Sequence, residues 1–310
     1  MSNFKTNLLI YLKGMAMGAA DVVPGVSGGS IALITGIYEK LLDSITAIDL
    51  EAFDLLKSGK IKALWLKVNG GFLISLLLGI GTSLVSLANL ITYLIRIYPI
   101  PVWSFFCGLI LVSALLIIRD VRRWNLAALL SLPLGIVIAY YITGLTPMSS
   151  ANSPLIIFGS GMIAICAMIL PGISGSFLLL IMGKYEFILN ALSERDLITL
   201  GIFVLGCIIG ILSFSRLISR LLKSYHAITI ALLSGFMLGS INKLWPWKRI
   251  LSYRLSSSGK QEAFLTENVL PNHYFAFTGE EPHFLGALFA FFIGIVLVIG
   301  IERLAYYLKG

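Results

Sequence analysis

The chain has 310 residues, of which 58% are hydrophobic and only 12% charged, and its mean hydropathy is +0.94. So few polar groups cannot cover a soluble globule of this length, which excludes a water-soluble enzyme or binding domain and places the chain in lipid. The net charge of +8 does not point to nucleic acid, because the basic residues fall in short loops between apolar runs and form no stripe.

Lys5 and Lys13 flank a very short apolar stretch with no small-x-small cleavage site, so no removable signal peptide is expected. Residues 14–38 form one apolar segment interrupted midway by Asp21, Pro24-Gly25 and Gly28-Gly29. Two crossings would need about 40 residues, and one straight helix would carry an acid, a proline and glycines at the bilayer centre. A re-entrant hairpin of two half-helices meets both objections; a single broken spanning helix is the competing arrangement. Residues 40–67 read as an amphipathic surface segment. Transmembrane helices are expected at about 68–97, 102–118 and 126–145. A second broken apolar segment, residues 155–183, is interrupted at Pro171-Gly172 and is read as a second re-entrant hairpin. Helices at about 197–222, 226–242 and 284–303 follow, with a polar outside loop at 243–283. Period-2 alternation is absent, which leaves helices as the spanning elements.

The chain reads as a duplication, with an N-terminal repeat at 1–150 and a C-terminal repeat at 151–310. Laid over each other at an offset of 147, residues 24–45 and 171–192 share 10 identities in 22 positions, including Gly36 with Gly183, Tyr38 with Tyr185 and Glu39 with Glu186. A second register, at an offset of 127, matches Gly79 with Gly206 and Gly108 with Gly235. A fainter one sets Gly135 against Gly294. One hairpin plus three crossings is an odd number per repeat, so the second repeat is expected upside down. The expected fold is therefore an all-α polytopic membrane protein of two inverted-topology repeats, each a re-entrant helical hairpin plus about three transmembrane helices. Most Lys and Arg then gather on the side of the N-terminus, which with the C-terminus is expected in the cytoplasm.

Each repeat carries Pro-Gly-x-Ser-Gly, at 24–28 and 171–175. Pro24 and Gly25, and Pro171 and Gly172, are the helix breaks. Ser27, Gly28, Gly29 and Ser30, and Ser174, Gly175 and Ser176, then open a new half-helix, whose unpaired N–H groups and positive dipole end suit an anion such as phosphate. The alternative is that Ser caps the helix and Gly allows close packing. Two copies brought together by inverted symmetry favour the anion site. The first copy, with Asp21 and Gly29, is expected to hold an anion more closely than the second, where Met168 and Ser176 stand at those positions. Asp21, Glu39 and Glu186 are acids at or near membrane depth and are candidates for gating or proton coupling; for Glu39 and Glu186 a plain interfacial role stands equally. Arg119, Arg122, Arg123, Arg216 and Arg220 are either positive-side anchors or attract a phosphate headgroup, Arg119, Arg216 and Arg220 being the candidates for the latter.

Cys107, Cys166 and Cys207 lie inside apolar segments at no metal spacing, and His226, His273 and His283 are scattered, so neither a metal nor a cofactor is expected.

The run from Lys13 to Ser30, with Gly36-Ile37-Tyr38-Glu39 and the second copy from Pro171 to Ser176, resembles the bacterial polyprenyl-phosphate transporter family over essentially the whole chain. The resemblance implies a flippase, not an enzyme, that returns undecaprenyl phosphate from the outer to the inner leaflet of the cytoplasmic membrane for reuse in cell-wall synthesis. It also implies roles for Asp21, the two Pro-Gly-x-Ser-Gly motifs, Glu39 and Glu186. Membrane lipids are the other expected partners, and a homodimer is compatible with the sequence. A carrier of a small soluble anion is the alternative. A membrane lipid phosphatase is a weaker one, because no histidine is set near an Arg and Asp.

Overall fold

The structure, a computed structural model, describes residues 3–23, 26–121, 123–146, 151–255 and 261–307. The chain begins with α1 (Asn3–Asp21) and α2 (Gly28–Ile34), followed by three short helices, α3 (Tyr38–Thr46), α4 (Leu50–Lys57) and α5 (Ile61–Lys67). Longer apolar helices come next: α6 (Gly70–Ser86), α7 (Ala88–Ile97), α8 (Pro99–Arg119) and α9 (Leu126–Gly144). The pattern then restarts with α10 (Pro154–Ile169), α11 (Gly175–Ile181), α12 (Tyr185–Ser193), α13 (Leu197–Ser224) and α14 (His226–Leu244). A small antiparallel hairpin, β1 (Lys248–Leu255) with β2 (Gln261–Asn268), then α15 (Pro271–Thr278) and α16 (Phe284–Tyr307), complete the described chain. Among the described residues, α8, α9, α13, α14 and α16 are each long and apolar enough to cross a bilayer, so this is a multi-pass membrane protein.

Two contacts show that each broken segment folds back on itself as a helical hairpin. Lys13 lies midway along α1, yet its Nζ donates to the carbonyl of Thr35, just past the end of α2, at 2.7 Å. The chain therefore doubles back along α1 after the break. In the second half the buried Lys184, just past α11, donates to the carbonyl of Ala151 at 2.8 Å and to Oδ1 of Asn152, which immediately precede α10. A broken spanning helix would hold these pairs on opposite sides of the membrane. After each hairpin a glycine with positive φ, Gly36 or Gly183, turns the chain into α3 or α12, and the bend between α11 and α12 is 103°.

The first hairpin differs from the expected 14–38 in starting at Asn3. Lys13, which precedes the expected segment, donates to a carbonyl at the end of a half-helix and so sits inside the hairpin. Residues 68–97, expected as one helix, divide at Leu87 into α6 and α7. The segment 243–283, expected as an outside loop, contains the β-hairpin and α15, an addition to the all-α plan.

Packing repeats between the halves residue by residue. A side chain at Gly79 of α6 would strike the carbonyl of Tyr11 on α1, and one at Gly206 of α13 would strike that of Phe158 on α10. Gly14 meets the carbonyl of Leu76 as Gly161 meets that of Phe203. Gly108 of α8 faces Phe291 of α16, as Gly235 of α14 faces Leu132 of α9; the reciprocal contacts are Gly294 with Phe105 and Gly135 with Leu232. Every residue in these eight contacts maps onto its counterpart at offsets of 147, 127 or 159, the registers of the sequence repeat. Lipid tails provide no hydrophobic drive between helices, so close backbone approach at glycine is what holds such crossings.

Candidate functional site

The two broken segments meet tip to tip in the core. Val23, Val26, Ile31, Ile169, Ile173, Leu233 and Met237 belong to one continuous buried cluster around them. Ser27 Oγ donates to the carbonyl of Met168 at 3.1 Å, and Gly172 N–H donates to Ser30 Oγ at 2.9 Å. A Cβ on Gly29 would lie 3.0 Å from the carbonyl of Met168, and one on Gly172, where φ is +84°, would lie 2.7 Å from that of Phe236. These two glycines are required by close approach, and the second by its turn as well.

The first half-helix already has an anion at its start. Asp21 Oδ1 accepts the N–H of Gly28 at 2.7 Å, Ser27 Oγ accepts that of Gly29 at 3.1 Å, and the carbonyl of Ser27 accepts that of Ser30 at 2.9 Å. Ser27, Gly28, Gly29 and Ser30 are all buried. The first-turn donors that sequence assigned to a ligand are thus engaged by the protein's own groups, with a carboxylate in the role of the anion. In the second copy Ser174 Oγ lies 2.9 Å from Ser176 Oγ and weakly caps Phe177 N at 3.5 Å. Ser176 is exposed. Ser174 and Gly175 are buried, and Met168 packs over Gly175 where Asp21 packs over Gly28, so the second start is covered by a thioether side chain in place of a carboxylate. Pro24, Gly25 and Arg122 lie outside the described residues, whereas Pro171 is fully buried.

The remaining candidates divide between the ends of the molecule. Glu39 is exposed in the first turn of α3, with its carboxylate 3.6 Å from His226 Nε2 at the start of α14. Beside it Asp43 accepts from Lys223 Nζ at 2.6 Å and from Ser219 Oγ at 3.1 Å, and Arg216 donates to the carbonyl of Ile48 at 2.8 Å. These contacts lash α3 of the first half to α13 and α14 of the second. Arg220 is exposed. Arg119 lines an open pocket of about 840 Å³ with Asp120, Arg123, His226 and Ala227. Glu186 is half-buried in the first turn of α12 and is not part of this cluster. Sequence reading missed the roles of His226, Asp43 and Lys223, since no spacing relates residues brought together across the two halves.

Against known proteins, residues 17–262 match the model of a family described as undecaprenyl phosphate translocase-like. A polyprenyl-phosphate transporter of Vibrio cholerae serotype O1 is 47% identical over 298 residues, covering 96% of this chain and 97% of the relative. The chain belongs to this family. A polyprenyl-phosphate transporter of Staphylococcus aureus is 36% identical over 253 residues, covering 76% of this chain and 85% of the relative. No solved structure gives a significant match. The family's match runs from the end of α1 through both Pro-Gly-x-Ser-Gly motifs and α14 to the start of β2.

Proposed function

We propose that this chain moves undecaprenyl phosphate, or a closely similar polyprenyl phosphate, from the outer to the inner leaflet of the bacterial cytoplasmic membrane, without breaking a bond in the lipid. The observation that carries this reading is the meeting of two half-helix starts in the core, one of them holding the carboxylate of Asp21 against Gly28 N–H. A carboxylate and a phosphate monoester make the same demand on backbone donors.

Moving an unscreened phosphate through hydrocarbon is prohibitive, so the headgroup needs donors along its whole path while its tail stays in the bilayer. In this reading the two repeats lie inverted in the membrane, with both termini in the cytoplasm, and the matched glycine crossings support a pseudo-twofold between them. The headgroup enters beside Ser174, Gly175 and Ser176, displaces Asp21 from the start of α2, and leaves past Glu39 and Arg119. Rocking of one repeat against the other exchanges the open side. Glu39 with His226, and Asp43 with Lys223, are contacts between repeats that such rocking breaks and remakes. Glu186 serves the opposite end. A homodimer is compatible with this path and not required by it.

The test is a leaflet-resolved flipping assay in proteoliposomes with a fluorescent polyprenyl phosphate. Protein-dependent loss of outer-leaflet lipid is expected for the monophosphate and not for the parent polyprenol. Equal movement of both lipids, or of inorganic phosphate alone, defeats the reading.

A further inference from the structure

Two lysines lie together where α14 ends and the β-hairpin begins. Lys243, in the last turn of α14, holds its ammonium 4.3 Å from the ring centroid of Phe177. Lys248, the first residue of β1, holds its own 4.6 Å from the ring centroid of Trp103 and donates to the main-chain carbonyl of Lys243. Both side chains are partly buried, and among the described residues neither forms an ion pair. The neighbouring Arg249 differs: Glu267 neutralises it across the hairpin at 2.7 Å.

Two like charges held close, against aromatic faces and without a carboxylate, raise the energy of the empty protein. A ligand anion relieves that cost. Burial, and then the charge of Lys243, push the Lys248 ammonium down to about 7 from its ordinary value. The location is also specific. Phe177 follows the exposed Ser176 in α11, so the Lys243 ammonium stands beside the second Pro-Gly-x-Ser-Gly motif. Trp103 belongs to the first turns of α8, so α8, α11, α14 and β1 converge on the pair. In the repeat register the position of Lys243 corresponds to Leu116, so the first half has no such lysine at the other face.

We infer that Lys243 and Lys248 form the receiving site for a phosphate monoester on the side of the membrane where α14 ends, from which the headgroup passes to the second motif. This rests on the transport reading above and adds the place and chemistry of first capture. The aromatic faces hold both ammoniums in place without neutralising them, so an arriving anion meets charge that no carboxylate has compensated.

The experiment labels wild-type protein in proteoliposomes with a membrane-impermeant amine-reactive ester and reads Lys243 and Lys248 by peptide mass spectrometry. Polyprenyl phosphate is expected to slow labelling of the pair roughly fivefold or more, while polyprenol and inorganic phosphate at equal concentration leave it unchanged. Unchanged labelling with polyprenyl phosphate overturns the site. So does equal protection by polyprenol, which would mean coverage by the tail, and so does protection by inorganic phosphate alone, which would mean a free-anion site. In the flipping assay, Lys243→Gln with Lys248→Gln is expected to reduce outer-leaflet uptake about tenfold, and the double arginine substitution to retain it. Extraction yield and melting temperature of the glutamine variant check its folding. A wild-type protein that moves no polyprenyl phosphate sinks the transport reading and this site with it; wild-type and glutamine proteins that flip alike sink the lysine site alone.

Discussion

The hydroxyl of Ser30 accepts the N–H of Gly172 at 2.9 Å, so that the first half-helix of one repeat is bonded to the turn of the other. Ser30 is fully buried, and among the described residues its hydroxyl is the acceptor that Gly172 N–H finds. Ser30→Ala leaves a buried donor unsatisfied and is expected to cost about 1–3 kcal/mol. Gly172→Ala is expected to be worse, since it adds a left-handed strain at φ +84° to a clash with the carbonyl of Phe236. Melting of the detergent-solubilised protein followed by size exclusion measures both, and a Ser30→Ala protein that melts with the wild type refutes the coupling.

Asp21 separates charge from capping. Asparagine at 21 keeps an oxygen for Gly28 N–H and removes only the negative charge, whereas alanine removes both. If the carboxylate is displaced by the phosphate headgroup, Asp21→Asn lowers both the half-saturating lipid concentration and the maximal flipping rate, each by about tenfold, because the neutral amide oxygen competes less well with the headgroup and releases it more slowly. Wild-type kinetics in Asp21→Asn, with loss of stability in Asp21→Ala, would reduce the residue to a cap.

The glycine crossings predict paired effects. Gly79→Ala and Gly206→Ala place a methyl group against matched carbonyls, those of Tyr11 and Phe158, and each is expected to destabilise by about 1–3 kcal/mol. Gly81→Ala and Gly201→Ala have open space around them and are expected to melt with the wild type or slightly above it. Thermal melting of the four variants decides this, and a large difference between Gly79→Ala and Gly206→Ala would speak against equivalent packing.

Lys248 carries a pH signature. Its ammonium is pushed down to about 7 by burial and by Lys243, while Arg249 is already paired with Glu267. Below about pH 7 both folded and unfolded chains hold the proton. Between about 7 and the ordinary 10.5 only the unfolded chain does, so stability rises with pH across that window. Labelling of Lys248 by an amine-reactive ester is accordingly expected to rise with a midpoint near pH 7, and a midpoint near that of an exposed lysine would contradict the packing. Bound phosphate monoester stabilises the ammonium and shifts the midpoint upward.

Composition and apolar run lengths alone determined that the chain crosses a membrane as helices, since lipid accepts no other open backbone. The identities at a constant offset marked the duplication, and Pro171-Gly172 with the Ser-Gly pairs marked the breaks, because residues that stop and start helices are local signals. Which donors are free was not local. Asp21 turning back onto Gly28, Ser30 reaching Gly172, and Lys13 inside the hairpin all depend on how the chain folds over itself, and no spacing rule encodes that return. The tertiary structure also distinguishes the two motifs, setting the carboxylate of Asp21 against the first and leaving Ser176 exposed in the second. It also gave Lys243 and Lys248 their setting. In sequence they are two basic residues of an outside loop; only the convergence of α8, α11, α14 and β1 puts them against Phe177 and Trp103 without a counter-charge among the described residues.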